Sequence, residues 1–246
     1  MSNLQTGKMT NHRWTILVLL IALSLAGCGS GGKVGELRTE SQSVELRDNA
    51  PVRVEINLGA GSLALAGGAE KLLEADFSYN VDALKPKVTY GNGRLAVRQP
   101  DSRGMPDWRG IAGFRNEWVL HLNDETPMDL SVDMGGGSGD LLLAGLALTG
   151  LDVSLGAGVY MVDLSGDWAA DLQTAIDAGA ADILLRLPRK IGARVVVESG
   201  PHTIDAGGLT KEGNVYTNAA YGVSPVTLQV DLDVGVGKIT LEEGKS

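Results

Sequence analysis

"LDVSLGAGVYMVDL", residues 151–164, holds two alternating apolar runs that meet at Gly156-Ala157-Gly158. Read as a nucleotide loop, the stretch points to an enzyme. Read as a bend between strands, it points to a β scaffold. A phosphate loop of the G-x-x-x-x-G-K-[ST] kind needs its glycines ahead of a helix and a hydroxyl after the lysine. Here Gly237-Lys238 is followed by Ile239, and position 232 is Leu. A dinucleotide fingerprint needs a third glycine and a helix. "GAGVYM" (156–161) and "GAGSLA" (59–64) lack that glycine and run on as strand-like alternation. "GGGSGD" (135–140) misses the calcium-binding nonapeptide by one position and does not recur at nine residues. The bend is left, where a corner calls for the positive φ that glycine adopts without strain.

The neighbourhood repeats the pattern. Gly137, Gly158, Gly179 and Gly200 follow one another at a constant step of 21 residues. Leu130, Leu151, Leu172 and Ala193 keep that step, as do Met134, Leu155, Ile176 and Val197. So do Leu141, Val162, Ile183 and Ile204. A fixed period near 20 residues marks stacked repeats, and alternation within each unit marks strands. The expectation is an all-β fold, a β-helix-like parallel β-solenoid with rungs of about 21 residues. "VEINLGAGSLAL" (54–65) and "LQVDLDVGVGKITL" (228–241) read as further units, the second after a detour through 208–225. "DWAADLQTAIDAGAADILLRL" (167–187) has helix-forming composition, but its Leu172, Ile176, Ile183 and Leu185 fall on the repeat and make it a strand.

The start of the chain reads as an address. Lys8, His12 and Arg13 precede an apolar run, Trp14 to Leu25, of signal-peptide length. It ends in Leu25-Ala26-Gly27-Cys28, which resembles a bacterial lipobox. In lipoproteins the cut falls before the cysteine, whose thiol then carries a diacylglycerol. One acyl chain holds a protein only marginally, at roughly 0.8 kcal/mol per methylene, so stable anchoring takes two. The expected organisation is a signal peptide over 1–27 and a lipidated Cys28 with its tether over 28–50. A less regular β region follows over 51–126 and the repetitive solenoid over 127–246. Cys28 is the only cysteine, so no structural disulfide is available.

Charge narrows the partners. The chain has 21 basic and 30 acidic residues, a net charge of −9. Removal of Lys8 and Arg13 with the signal makes it more negative still. Nucleic acid needs clustered Lys and Arg and is excluded, as is electrostatic adhesion to anionic lipid.

Few residues suggest chemistry. His121 and His202 have no thiol or second histidine nearby in sequence and read as surface residues. Asp231 and Asp233 share a strand face, where they suit calcium, acid/base work or simple solvation; solvation is the favoured reading. Asp163 and Asp205 fall in one repeat column with Leu142 and Leu184. No catalytic, cofactor-binding or metal-ligating set emerges. Trp108 and Phe114, in the polar loop "DSRGMPDWRGIAGFRN" (101–116), are the candidate contact residues. The same loop reads more readily as a lid over one end of the solenoid, since a solenoid must cap its apolar end. Trp118 and Trp168 read as packing.

The segments "LGAGSLALAGGAEKLLEADFSYN" (58–80), "VRQP" (97–100), "RNEWVLHLNDETPMDLSVDMGGG" (115–137) and "GLDVSLGAG" (150–158) resemble the toast-rack family of bacterial envelope proteins. That resemblance spans most of residues 36–246. It implies an all-β, solenoid-like module of unknown function. Its relatives are adhesin-like domains and the C-terminal domain of cell-wall-active antibiotic response proteins, which sit in membranes and are linked to envelope-stress signalling. The family brings no catalytic residues. Here a lipobox stands where those relatives have membrane helices. The functional expectation is a non-enzymatic, lipid-anchored envelope scaffold. It sits at the outer membrane in a cell with two, and binds an envelope protein or a cell-wall glycan. The rivals are a modulator of the response to wall antibiotics and a surface polysaccharide-processing enzyme.

Overall fold

The computed structural model describes residues 34–47, 50–100, 113–200 and 202–244. In chain order the strands are β1 (Arg38–Val44), β2 (Val52–Leu58), β3 (Gly61–Ala66), β4 (Leu73–Tyr79), β5 (Lys87–Gly91), β6 (Arg94–Arg98), β7 (Asn116–Leu122) and β8 (Met128–Leu142). There follow β9 (Leu148–Asp163), β10 (Leu172–Leu187), β11 (Gly192–Ser199), β12 (His202–Asp205), β13 (Thr210–Glu212), β14 (Val215–Thr217) and β15 (Thr227–Glu243). The protein is all-β, and the fifteen strands join in one sheet.

Four long strands set the architecture. In β8 the buried side chains are Met128, Leu130, Val132 and Met134, then Leu141. In β9 they are Leu151, Val153 and Leu155, then Tyr160 and Val162. β10 and β15 make the same change between Ala178 and Ala181 and between Val234 and Ile239. Side chains alternate along a strand, so this inversion means that each strand changes phase once, at its glycines. Both halves then send apolar side chains into one core, where Val132 and Leu141, Leu155 and Val162, and Leu232 and Ile239 belong to a single cluster.

The shorter strands are the same unit with its corner opened. β2 and β3 pair with the two halves of β8. β6 and β7 pair in turn with β2 and β3. β11 and β12 pair with the two halves of β15. Each such unit is a tier, and all these contacts are parallel. Antiparallel strands finish the ends. β5 lies on β6, β4 on β7 and β1 on β4. β14 lies on β11 and β13 on β14.

Two expectations need correction. The step of 21 holds from β8 to β9, where Leu130 faces Leu151 and Gly137 faces Gly158. From β9 to β10 the step is 23, so Leu151 faces Thr174 and Gly158 faces Ala181. A slip of two residues keeps every side chain on its own face, which is why the apolar columns looked intact. It leaves the Thr174 hydroxyl buried without a hydrogen-bond partner. The second correction is order. Across the sheet the tiers run β6/β7, β2/β3, β8, β9, β10, β15, β11/β12. The first two and the last two are exchanged relative to the chain, so Ala193 and Val197 lie on Leu228 and Leu232 of β15, not on β10. Pairing also runs across residues 126/127, where β2 and β3 lie directly on β8.

The glycine column also differs from the expected one. Gly137 and Gly158 are neighbours, but the continuous line is Gly59, Gly135, Gly156, Gly179, Gly235 and Gly200. A Cβ at Gly135, Gly156, Gly235 or Gly200 would run into the carbonyl oxygen of the preceding glycine in that line. At Gly137 and Gly237 the φ values of +130° and +143° are themselves glycine territory. At Gly158 the constraint is space: a Cβ would meet the Gly137 carbonyl and lie 2.9 Å from the Tyr160 hydroxyl.

Two predictions follow from the corner and from the basic end of the stack. Gly156→Ala is expected to cost about 1–3 kcal/mol in urea unfolding through overpacking. Gly91→Ala, with open space around it, should stay within about 0.5 kcal/mol of the parent. Glu55 accepts hydrogen bonds from Arg94 Nη2 at 2.5 Å and from Arg98. Arg94, followed by Arg98, holds its carboxyl below the usual range against the opposing effect of burial. The folded state therefore gains stability from Glu55 above the unfolded value, about 4.3, and loses it as pH falls through the lowered folded value. Glu55→Gln should cost about 1 kcal/mol at pH 7, and the gap should close below the folded pKa in a pH series of unfolding curves.

Candidate functional site

A missing column of side chains leaves a trough. Its volume is about 390 Å³, and its floor is the backbone of Gly135, Gly156, Gly179 and Gly235. Asp133, Ser154, Asp177 and Asp233 line one bank. These four are register partners on adjacent strands, so they repeat at about 4.8 Å. At the ends of that row Asn57 donates from Nδ2 to Asp133 Oδ2 at 3.1 Å, and Glu198 stands beside Asp233. Asp177, Asp233 and Glu198 are thus three carboxylates side by side, and none forms a salt bridge among the described residues. Groups of three or more His, Cys, Asp or Glu able to hold a metal ion are absent from the described residues.

The inner side of the corner is filled. Tyr160 faces Gly139 in the register, and a Cβ at Gly139 would press on the Tyr160 ring at 3.1 Å. The buried phenol donates to the Ala157 carbonyl at 3.3 Å, and burial raises its pKa. The glycines therefore serve both sides: they admit Tyr160 beneath and leave the trough above.

Beside the trough lies an apolar groove of about 260 Å³, lined by Ala60, Gly61, Gly136, Gly137, Ala157 and Phe114. Phe114 is half-buried and packs against Val81 and Leu84. It is thus wall and packing residue together. Its loop is inserted at the corner of the β6/β7 tier, and polar bonds fix the stems. Asn116 Nδ2 donates to the Ala60 carbonyl at 2.7 Å and to Gln99 Oε1 at 2.9 Å. Trp118 Nε1 donates to Asn116 Oδ1 at 3.0 Å. Asn80 Nδ2 donates to the Gly113 carbonyl at 2.7 Å and accepts from the Arg115 amide at 2.9 Å.

The residues singled out in the sequence separate. Cys28 and Trp108 lie outside the described residues. Asp231 and Asp233 share an outward face, but only Asp233 lines the trough. Asp163 and Asp205 are not in one column: Asp163 faces Leu142 and Arg186, whereas Asp205 faces Thr240. His121 Nδ1 is bonded to the Gly67 carbonyl at 3.0 Å. Trp118 is buried edge-on to Phe77, with centroids 5.4 Å apart, and Trp168 donates to the Leu164 carbonyl. Sequence reading passed over Asp133, Asp177, Gln99 and Asn116. Asp133 and Asp177 stand two residues before glycines of the real column, a signal hidden by the slip of two.

The family described as the N-terminal domain of toast-rack matches residues 33–186. A candidate cell adhesion protein from Clostridium sporogenes, of known crystal structure, is 28% identical with a TM-score of 0.79, over 85% of this chain and 100% of that one. A candidate adhesin from Bacteroides fragilis is 11% identical with a TM-score of 0.33, over 83% of this chain and 97% of that one. No curated protein matches the sequence. Among the described residues no helix is long and apolar enough to cross a membrane.

Like charges side by side on a sheet repel. Asp177→Asn is therefore expected to raise stability by about 0.2–1 kcal/mol, more in low salt than in high, as read by thermal unfolding. Asn116→Ala strands the Trp118 Nε1 donor and the Ala60 carbonyl and should cost about 1–3 kcal/mol by denaturant titration.

Proposed function

The chain belongs to the toast-rack family, and from that premise we propose a non-enzymatic, adhesin-like binding scaffold of the bacterial cell envelope. Diacylglycerol on Cys28 holds it to a membrane, the outer one where a cell has two. Its stacked tiers form a β-solenoid-like body that presents the corner trough to a cell-wall glycan.

The trough carries this reading. It is open and one side chain deep, and it runs across β8, β9, β10 and β15. A polymer laid along the stack meets the same group at each strand: bare glycine backbone below and a carboxylate or hydroxyl acceptor at the bank. Such acceptors suit sugar hydroxyls, and the repeat suits a repeating ligand. The similarity to the C. sporogenes protein over that protein's whole length supports an adhesin-like role.

The same geometry weighs against the polysaccharide-processing alternative. Glycoside cleavage needs two carboxyl groups flanking the scissile bond. Asp133, Asp177 and Asp233 stand along a single bank. That arrangement holds hydroxyls from one side and places no acid opposite a base.

Purified peptidoglycan sacculi are expected to retain the protein in a co-sedimentation assay. The combined Asp133→Asn, Asp177→Asn and Asp233→Asn variant should lose at least about tenfold in apparent affinity, since hydrogen bonds to charged groups contribute roughly 1.5–3 kcal/mol each. Equal retention of both proteins, or of neither, overturns the glycan reading. Separately, Cys28→Ser should move the protein from the membrane to the soluble fraction of the producing cell.

A further inference from the structure

Apolar side chains break the polar outward face in the second halves of β8, β9 and β10, whereas the second half of β15 presents Lys238, Thr240 and Glu242. On β9 the first half presents Asp152 and Ser154, the second half Val159 and Met161. On β10 the first half presents Gln173 and Asp177, the second half Leu184 between Asp182 and Arg186. Register joins Val119, Ala64, Asp140, Met161 and Leu184 in one row across five strands. Val159 lies beside this row toward the corner and Leu142 on its far side. Val159 is 63% exposed, Leu142 42% and Val119 41%. Both faces belong to the same strands, so strand propensity cannot explain the contrast. An exposed apolar patch rimmed by polar groups marks an interaction surface.

Charge selects the occupant. Exposed Glu74, Asp76 and Asp182 surround the patch, and Asp140 stands inside it. Lys238 and Arg186 oppose them, but Arg186 is already bound to Glu242 at 2.7 Å and to Asp163 at 3.6 Å. A second copy laid on this face would press carboxylate on carboxylate, and an anionic lipid surface would be repelled. We propose that the outer face of the second half-strands docks a cationic amphipathic segment of a partner polypeptide. Its apolar side chains cover Val119, Leu142, Val159, Met161 and Leu184, and its Lys or Arg side chains reach the acidic rim. This surface is separate from the corner trough and does not depend on the glycan reading.

The test uses a labelled synthetic Leu/Lys amphipathic peptide and a scrambled peptide of the same composition, titrated against the protein by fluorescence anisotropy. The amphipathic peptide is expected to bind at least about tenfold more tightly than the scrambled one. The double variant Val159→Ser/Met161→Ser should abolish that preference, and Leu142→Ser should weaken it. Asp177→Asn/Asp233→Asn, in the trough, should leave it within about twofold. These positions face solvent or its edge, and circular dichroism with thermal unfolding confirms that each variant is folded. Equal binding of the two peptides overturns the proposal, as does an unchanged preference in the Val159/Met161 variant. Self-association in sedimentation that this variant abolishes, or binding to phosphatidylcholine vesicles that it abolishes, also overturns it and names the second copy or the lipid surface as the occupant.

Discussion

Backbone meets backbone at the corner, and the rest of the structure depends on that approach. Along the line from Gly59 to Gly200 successive tiers come so close that a β-carbon has no place at most positions. The approach lets every long strand change phase without leaving its ladder. The phase change lets both halves of a strand share one core, so a sheet that would otherwise need a second layer covers its own apolar face. Tyr160 lies under the bend for the same reason that the trough lies over it.

A core of this kind places its demands unevenly. Inward positions are mostly aliphatic, from Val54 and Ile56 to Ile239 and Leu241, with Phe77, Trp118 and Tyr160 among them. Corner positions must be small. Outward positions are free, and here the sequence differentiates: the first half-strands are polar, whereas on the second Leu142, Val159, Met161 and Leu184 interrupt the polar residues. The carboxylate row at the trough opposes stability, since Asp177, Asp233 and Glu198 stand side by side.

Strand content and the inward columns were legible in the sequence because alternation is a local signal. β10 was recovered against its helix-forming composition on that basis. Stacking order was not legible. A register slip of two preserves the face of every side chain, so a true step of 23 passed for 21 and Gly179 was set beside Gly158 instead of Gly156. The placing of β15 between β10 and β11 leaves no local trace, because parallel neighbours are chosen by long-range pairing. The candidate site suffered from the same slip. Asp133 and Asp177 could be recognised as neighbours of the glycine line only once that line was known. Gln99 and Asn116 flank the 101–112 insertion with no pattern of their own, and their role depends on the Ala60 corner of another tier.

The exchanged order of the last two tiers bears on how the chain is made. β11 emerges from the ribosome, and from any export channel, before the strand that must separate it from β10. Until residues 227–243 arrive, one edge of β10 and the inner face of β11 lack the neighbour that each has in the folded sheet. The far half of the stack therefore assembles only after β15 inserts as a wedge. Such long-range closure is slow and leaves strand edges exposed, so the nascent protein is at its most vulnerable to entanglement with its own kind just before β15 is threaded home.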